Sequence, residues 1–66
     1  MEANMDEGKK GFTRGVVYAV AELIRQYEEG HAELIWKASG FTRDDLKLCE
    51  EYDAKEVRKY IKEWEK

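Results

Sequence analysis

Apolar residues recur along the chain at intervals of three and four positions, and the longest such run extends from Phe12 to Tyr27. At about 100° per residue, its apolar side chains fall within one arc of about 200° on a helical wheel. An apolar arc of this width is typical of a helix that other elements cover from two sides. The pattern therefore predicts a central helix over residues 13–28. Its apolar arc consists of Val16, Val17, Ala19, Val20, Ala21, Leu23, Ile24 and Tyr27.

Three helix starts carry the same local signal, an aromatic residue followed by a residue that caps helices well. In each case an apolar residue stands at the fourth helical position, as in a hydrophobic staple. In two of the three, an acid three positions after the cap also predicts a capping box. The three pairs are Phe12-Thr13, Phe41-Thr42 and Tyr52-Asp53, and the two acids are Asp45 and Glu56.

Glycines mark the predicted helix ends, because Gly30 and Gly40 suit the left-handed position that follows a helix. No stretch shows the sustained alternation of a strand, and the connections are short, which favours neighbours packed in space. We therefore expect an all-α fold, a small compact bundle of four helices. The predicted helices span residues 13–28, 31–39, 43–51 and 54–65.

The composition fits a single small domain. Residues 1–11 are polar and aperiodic, which predicts a flexible N-terminal arm ahead of one helical domain over residues 12–66. Charged residues make up 41% of the chain, but the apolar fraction of 42% is still sufficient for a folded core. The 15 acids and 12 bases give a net charge of −3, which disfavours a dedicated nucleic-acid binder.

The second predicted helix, residues 31–39, is apolar around most of its circumference. Only Glu33 and Lys37 form a clear polar strip. A helix of this length does not fold alone. It must therefore be nearly enclosed, or part of its apolar surface must meet another chain, and we expect the protein to form a homodimer.

Few residues are suited to catalysis or metal binding. Ser39 and His31 lie at opposite ends of one short helix, about 12 Å apart by rise alone, and cannot share a hydrogen bond within one chain. Structural zinc sites need about four Cys or His ligands at short spacings, which the sequence does not provide. We therefore expect no enzyme activity, no metal site and no cofactor.

Cys49 is the only cysteine, so an internal disulfide is impossible. A lone thiol fits the reducing cytoplasm better than secretion. No run of about 18 apolar residues is present, and we expect no association with a membrane. The expected location is the cytoplasm.

Five carboxylates lie within ten residues around the third predicted helix, and they predict a negative surface that binds a basic surface of another protein. Tyr18 lies on the polar arc of the first helix and suits an interface anchor. The alternative is a nucleic-acid contact through the basic face of the last helix. The residues predicted for the protein interface are Asp44, Asp45, Glu50, Glu51, Tyr18 and Trp36, and those of the alternative are Lys55, Arg58, Lys59 and Lys62.

The segments GFTRGVVYAVAELIR, AELIWKASGF and DDLKLCEEYD together resemble small uncharacterised accessory proteins of bacteriophages and prophages. The resemblance covers residues 11–53. It implies a product that acts in the host cytoplasm by binding and disabling a host protein, such as a defence complex. We therefore expect a non-catalytic protein-binding module, a phage-type inhibitor or adaptor.

Overall fold

Helix α1, Glu2–Arg25, is the element against which the rest of the chain packs in the computed structural model. The structure describes the backbone of residues 2–65 and the side chains of residues 8–65. Helix α1 is followed by α2 (Glu29–Ser39), a 3₁₀ helix (Arg43–Leu48) and α3 (Glu51–Trp64). The predicted all-α bundle of four helices is confirmed, and none of the described residues is in a strand.

The core lies where α2 and α3 meet one face of α1. Buried residues recur on α1 at the spacing of a single helical stripe, and Ala32 and Trp36 of α2 are buried against them. Two tryptophans close the far end, with ring centroids 6.4 Å apart between Trp36 and Trp64. The larger buried side chains of the core are those of Val17, Val20, Ile24, Trp36, Leu46, Val57, Ile61 and Trp64.

The start of α1 differs from the prediction. Thr13 does not cap a helix, because the helix continues through it and the Thr13 hydroxyl donates a 2.7 Å hydrogen bond to the Lys9 carbonyl. This bond satisfies the buried hydroxyl inside a helix. Of the predicted arm, residues 8–11 are helical and their side chains are exposed, while the side chains of residues 1–7 lie outside the described part of the chain.

The end of α1 also differs, since Tyr27 rather than Gly30 takes the left-handed conformation, with φ of 63°. The Glu28 N–H donates to the Leu23 carbonyl at 2.8 Å, and the Tyr27 N–H donates to the Ile24 carbonyl at 3.0 Å. This pair of bonds is a Schellman motif. Gly30 falls within α2, because α1 ends earlier than its apolar pattern predicted.

Replacing Tyr27 with glycine is expected to stabilise the fold by about 0.5–1 kcal/mol. A left-handed residue with a Cβ costs about 1–2 kcal/mol, and the greater freedom of glycine in the unfolded chain returns part of the gain. The Tyr27 side chain is 87% exposed, so little packing is lost. The measurement is the urea midpoint. Tyr27→Ala is the control, because it keeps the Cβ, and an equal gain from it would contradict the explanation.

Of the two later helix starts, one agrees with the prediction and the other does not. Thr42 caps the 3₁₀ helix as predicted, and its N–H donates a 2.8 Å hydrogen bond to the Asp45 carboxylate. Helix α3 instead begins at Glu51 with Glu50 at its N-cap, so Asp53 is not a cap and makes no capping box with Glu56. Gly40 ends α2 with φ of 74°, as predicted.

A cleft of tyrosines and carboxylates beside helix α1

An open cleft lies between α1 and the beginning of α3, and we call it the tyrosine cleft. Its volume is about 460 Å³. Tyr18 of α1 is 57% exposed and Tyr52 of α3 is 63% exposed, so both rings are available to a partner. The cleft is lined by Arg14, Gly15, Tyr18, Glu50, Tyr52 and Asp53.

Arg25 fixes one wall of the tyrosine cleft. Its guanidinium donates to Glu22 at 2.6 Å, to the Asp53 carboxylate at 3.1 Å and to the Tyr52 carbonyl at 2.9 Å. The same group lies 4.1 Å from the centroid of the Tyr52 ring, within the range of a cation–π contact. Tyr52 is therefore held in place before any partner arrives.

These contacts also stabilise the charged form of the Arg25 guanidinium. Burial disfavours the charged guanidinium, but the pKa of Arg25 is raised because the hydrogen bonds to Glu22 and Asp53 outweigh that effect. Asp53 is largely buried beside this cation. Its negative charge is therefore already matched within the chain, whereas Glu50 on the same cleft is exposed.

Arg14 supports the cleft from the other side. Its Nε donates a 2.6 Å hydrogen bond to the carbonyl of Leu48, at the end of the 3₁₀ helix. This carbonyl belongs to a helix end, where backbone acceptors lack partners within the helix. One edge of α1, carrying Arg14, Tyr18 and Arg25, thus contacts the 3₁₀ helix and α3.

The four carboxylates predicted for the interface have different roles in the structure. Glu50 lines the tyrosine cleft together with Tyr18. Asp45 accepts the hydrogen bond of the Thr42 cap, and Asp44 is highly exposed, 3.4 Å from Lys47. Arg58 donates two hydrogen bonds to Glu51, at 2.7 and 2.8 Å, and they lower the pKa of Glu51.

The structure corrects the prediction for Trp36. Its side chain is buried in the core and contacts the rings of Phe41 and Trp64. Helix α2 turns this residue towards α1 and α3, because Ala32 and Trp36 form its core stripe. Trp36 therefore contributes to stability and offers no exposed surface.

The basic face of α3 is partly neutralised by its own helix. Arg58 is bound to Glu51, and the Lys59 ammonium lies 3.4 Å from Glu56. The Lys55 ammonium lies 5.6 Å from the ring of Tyr52. Lys62 is exposed in the last turn. The positive field that phosphates would meet is therefore weaker than the four cations alone predict.

The serine and the histidine make contacts close to them in sequence. The Ser39 hydroxyl donates to the Trp36 carbonyl at 2.7 Å and accepts a bond from the Phe41 N–H, so it helps to end α2. The His31 Nδ1 lies 3.0 Å from Glu28. No group of three His, Cys, Asp or Glu side chains among those described is placed to hold a metal ion.

The Cys49 thiol is expected to react with iodoacetamide at pH 8 several-fold more slowly in the folded protein than in guanidinium chloride. Burial raises its pKa and outweighs the opposing effect of Arg14, while Asp53 and Asp45 make smaller contributions in the same direction as burial. A raised pKa means less thiolate at a given pH, and the thiolate is the reactive form. Equal rates, after correction for the effect of denaturant on a model thiol, would contradict this expectation.

Several residues of the cleft were not predicted from the sequence. The sequence pattern predicts a helix start at Tyr52 and Asp53 and no role for Arg14 or Arg25. The available signal was the spacing of eleven between the two arginines, which puts both on the same edge of α1 as Tyr18. Their acceptors on the 3₁₀ helix and α3 are distant in sequence and carry no pattern.

Comparison of the chain with protein-family models, with curated proteins and with solved structures found no match. Within the part of the chain that the structure describes, no helix has both the length and the apolar character of a membrane span.

Proposed function

We propose that the protein is a non-catalytic protein-binding module and that the tyrosine cleft is its contact surface. The observation that carries the proposal is the pair of exposed rings, Tyr18 and Tyr52, on an open cleft beside the exposed carboxylate of Glu50. Tyrosine is enriched among residues that dominate protein interfaces, because its large ring loses little conformational freedom on binding.

The anchoring of the cleft supports a binding role. Arg25 holds the backbone and ring of Tyr52, and Arg14 holds the end of the 3₁₀ helix. A surface that is ordered before binding pays less of the entropic cost of association. The cleft is open, and its Arg14 and Asp53 side chains already bond within the chain, which suits docking of another surface better than enclosure of a substrate.

The charges of the cleft favour a partner with a basic surface. Asp53 is matched by Arg25, whereas Glu50 is free to meet a cation, and the whole chain carries a net charge of −3. A basic protein surface would place a lysine or arginine near Glu50 and over the face of Tyr18, because Arg25 and Lys55 already lie against the Tyr52 ring. A phosphate backbone would meet the wrong sign of charge here.

The mode of action follows from the open shape of the cleft and from the resemblance to phage accessory proteins. An open cleft suits occupation of a partner surface rather than enclosure of the partner. We therefore propose an inhibitor or adaptor that works in the cytoplasm of a bacterial host and blocks a basic surface of a host protein, for example a defence protein.

The test is capture from a bacterial lysate, followed by measurement of affinity for each purified captured protein. The double variant Tyr18→Ala with Glu50→Lys should bind at least about tenfold more weakly than the parent. Asp45 and Glu51 are kept, because the structure uses them for the Thr42 cap and the Arg58 pair.

A matched control removes the same residue types elsewhere. Tyr27 and Glu28 are both exposed at the turn between α1 and α2, so Tyr27→Gly with Glu28→Lys should leave capture unchanged. Equal capture by the cleft variant and the parent would refute the proposal. Binding of duplex DNA at low salt that weakens with Lys55→Ala and Lys62→Ala would instead support the nucleic-acid alternative.

A further inference from the structure

Helix α2 carries a second apolar stripe that none of the described side chains covers. Leu34 is 66% exposed, and Ile35 and Ala38 are also exposed, although Ala32 and Trp36 on the other side of the helix are buried. The uncovered residues stand at the spacing of one helical face, three and four positions apart. The helix is thus apolar on its core side and also on part of its solvent side.

Helix α1 has a matching edge. Phe12, Val16, Ala19 and Leu23 follow one another at intervals of four, three and four residues. Phe12 is 64% exposed, Ala19 is exposed, and Val16 and Leu23 are half-buried. This spacing is that of a helix-pairing seam.

The two stripes lie on the same side of the molecule. The opposite edge of α1, with Arg14 and Arg25, contacts the 3₁₀ helix and α3, so the Phe12 edge points away from α3. The Phe12 ring is 6.0 Å from that of Phe41, which follows the end of α2 and places this edge beside α2. A turn of three residues joins α1 to α2, so the two helices run antiparallel and the α2 stripe lies beside the Val16–Ala19 part of the α1 stripe.

We name this surface the hairpin face. His31 borders this face on α2 and already lies 3.0 Å from Glu28 within the chain, and the residues of the face are themselves uncharged although 41% of the chain is charged. Burial within one copy does not explain the absence of charge, because most of these side chains reach solvent. The face consists of Phe12, Val16, Ala19, Leu23, Leu34, Ile35 and Ala38.

We infer that the hairpin face binds a second copy of this chain, so that two α1–α2 hairpins pack face to face as an intermolecular four-helix arrangement. A twofold axis lets one patch serve both partners. A face without charge gives nothing to pair with the cations of a basic protein or the phosphates of nucleic acid. Its own copy is equally free of charge and has stripes of the same spacing, which pack ridges into grooves.

The size of the face sets the strength of the dimer. The α1 stripe is about 17 Å long and the α2 stripe about 6 Å, so the face offers on the order of 500 Å² per copy. The total of about 1,000 Å² lies at the lower limit for specific interfaces, so the dimer is weak and reversible. The tyrosine cleft lies on the other edge of α1 and stays open, which gives each dimer two partner sites.

Sedimentation equilibrium of the full chain over micromolar to millimolar concentrations tests the inference. The mass should rise from 7.8 kDa towards twice that value. Leu34→Glu should weaken the dimer at least about 30-fold, because a buried charge replaces a central contact. The helical circular dichroism should not change, because Leu34 is exposed in the single copy.

Further variants decide the outcome if Leu34→Glu fails to fold. Ala19→Arg lies on the other helix of the same face and should also give a monomer. Tyr18→Glu adds a charge on the opposite edge of α1 and should leave the dimer intact. A parent that remains at 7.8 kDa throughout, or a dimer that survives both face variants, would overturn the inference.

The same variants distinguish failure of the dimer inference from failure of the protein-binding proposal. Loss of the dimer through Leu34→Glu with unchanged capture by the tyrosine cleft supports two separate surfaces. A monomeric parent whose capture of a host protein is abolished by Leu34→Glu would assign the hairpin face to that protein and overturn self-association.

Discussion

Replacing Trp36 with alanine is expected to cost about 3–5 kcal/mol of unfolding free energy and to leave the chain largely unfolded at 25 °C. The Trp36 side chain is buried between the rings of Phe41 and Trp64, so its removal leaves a cavity that neither neighbour can fill alone. A domain of this size has only about 3–5 kcal/mol of stability to lose. Urea unfolding followed by far-UV circular dichroism measures the effect.

Tyr18→Ala is the matched control for Trp36→Ala. It also truncates an aromatic side chain, but Tyr18 is exposed, so the expected change is within about 0.5 kcal/mol. If Trp36→Ala unfolds cooperatively with the same urea midpoint as the parent, Trp36 is not part of the core.

Replacing Leu46 with alanine is expected to cost about 2–4 kcal/mol. Leu46 is the buried residue of the 3₁₀ helix, and this short element has few other apolar contacts to hold it against α1. Its loss should also release the Leu48 carbonyl from Arg14 and expose the Cys49 thiol. The urea midpoint and the rate of Cys49 alkylation should therefore change together.

Leu48→Ala in the same element provides the comparison for Leu46→Ala. Leu48 is only half-buried, so its truncation should cost clearly less, about 1 kcal/mol. If both substitutions cost the same, Leu46 would not be the residue that anchors the 3₁₀ helix.

Helix α1 separates the two surfaces proposed for this protein. Its Arg14–Tyr18–Arg25 edge builds the tyrosine cleft with α3, and its Phe12–Leu23 edge builds the hairpin face with α2. The third face of α1 is the core. The core face and the Phe12–Leu23 edge together form the broad apolar arc, and the cleft edge places Tyr18 on the polar arc. A substitution on one edge is expected to leave the other surface intact.

Local capping chemistry predicted some helix boundaries and failed at others. Thr42 and Asp45 cap the 3₁₀ helix as expected, because both partners lie within four residues. Thr13 has the same preceding aromatic residue, yet it lies inside α1, where the Lys9 carbonyl satisfies its hydroxyl. Asp53 instead accepts a hydrogen bond from Arg25, which is 28 positions away, and α3 begins before Asp53.

The candidate site was predicted in part. Tyr18 and Glu50 were expected at an interface, and the structure brings them to one cleft. Trp36 was placed at the interface because α2 is apolar on two sides, and periodicity alone does not tell which side faces the core. The structure buries the Trp36 side and leaves the Leu34 side in solvent.

The sequence by itself determined the helical class, the approximate helix positions, the Thr42 cap and the left-handed turn at Gly40. These features depend on the periodicity of apolar residues and on hydrogen bonds between residues a few positions apart. Only the tertiary structure decided which side of α2 is buried, where Arg14 and Arg25 find their acceptors, and that Tyr27 rather than a glycine ends α1. Those outcomes depend on which distant elements approach each other, and that information is carried by packing rather than by local spacing.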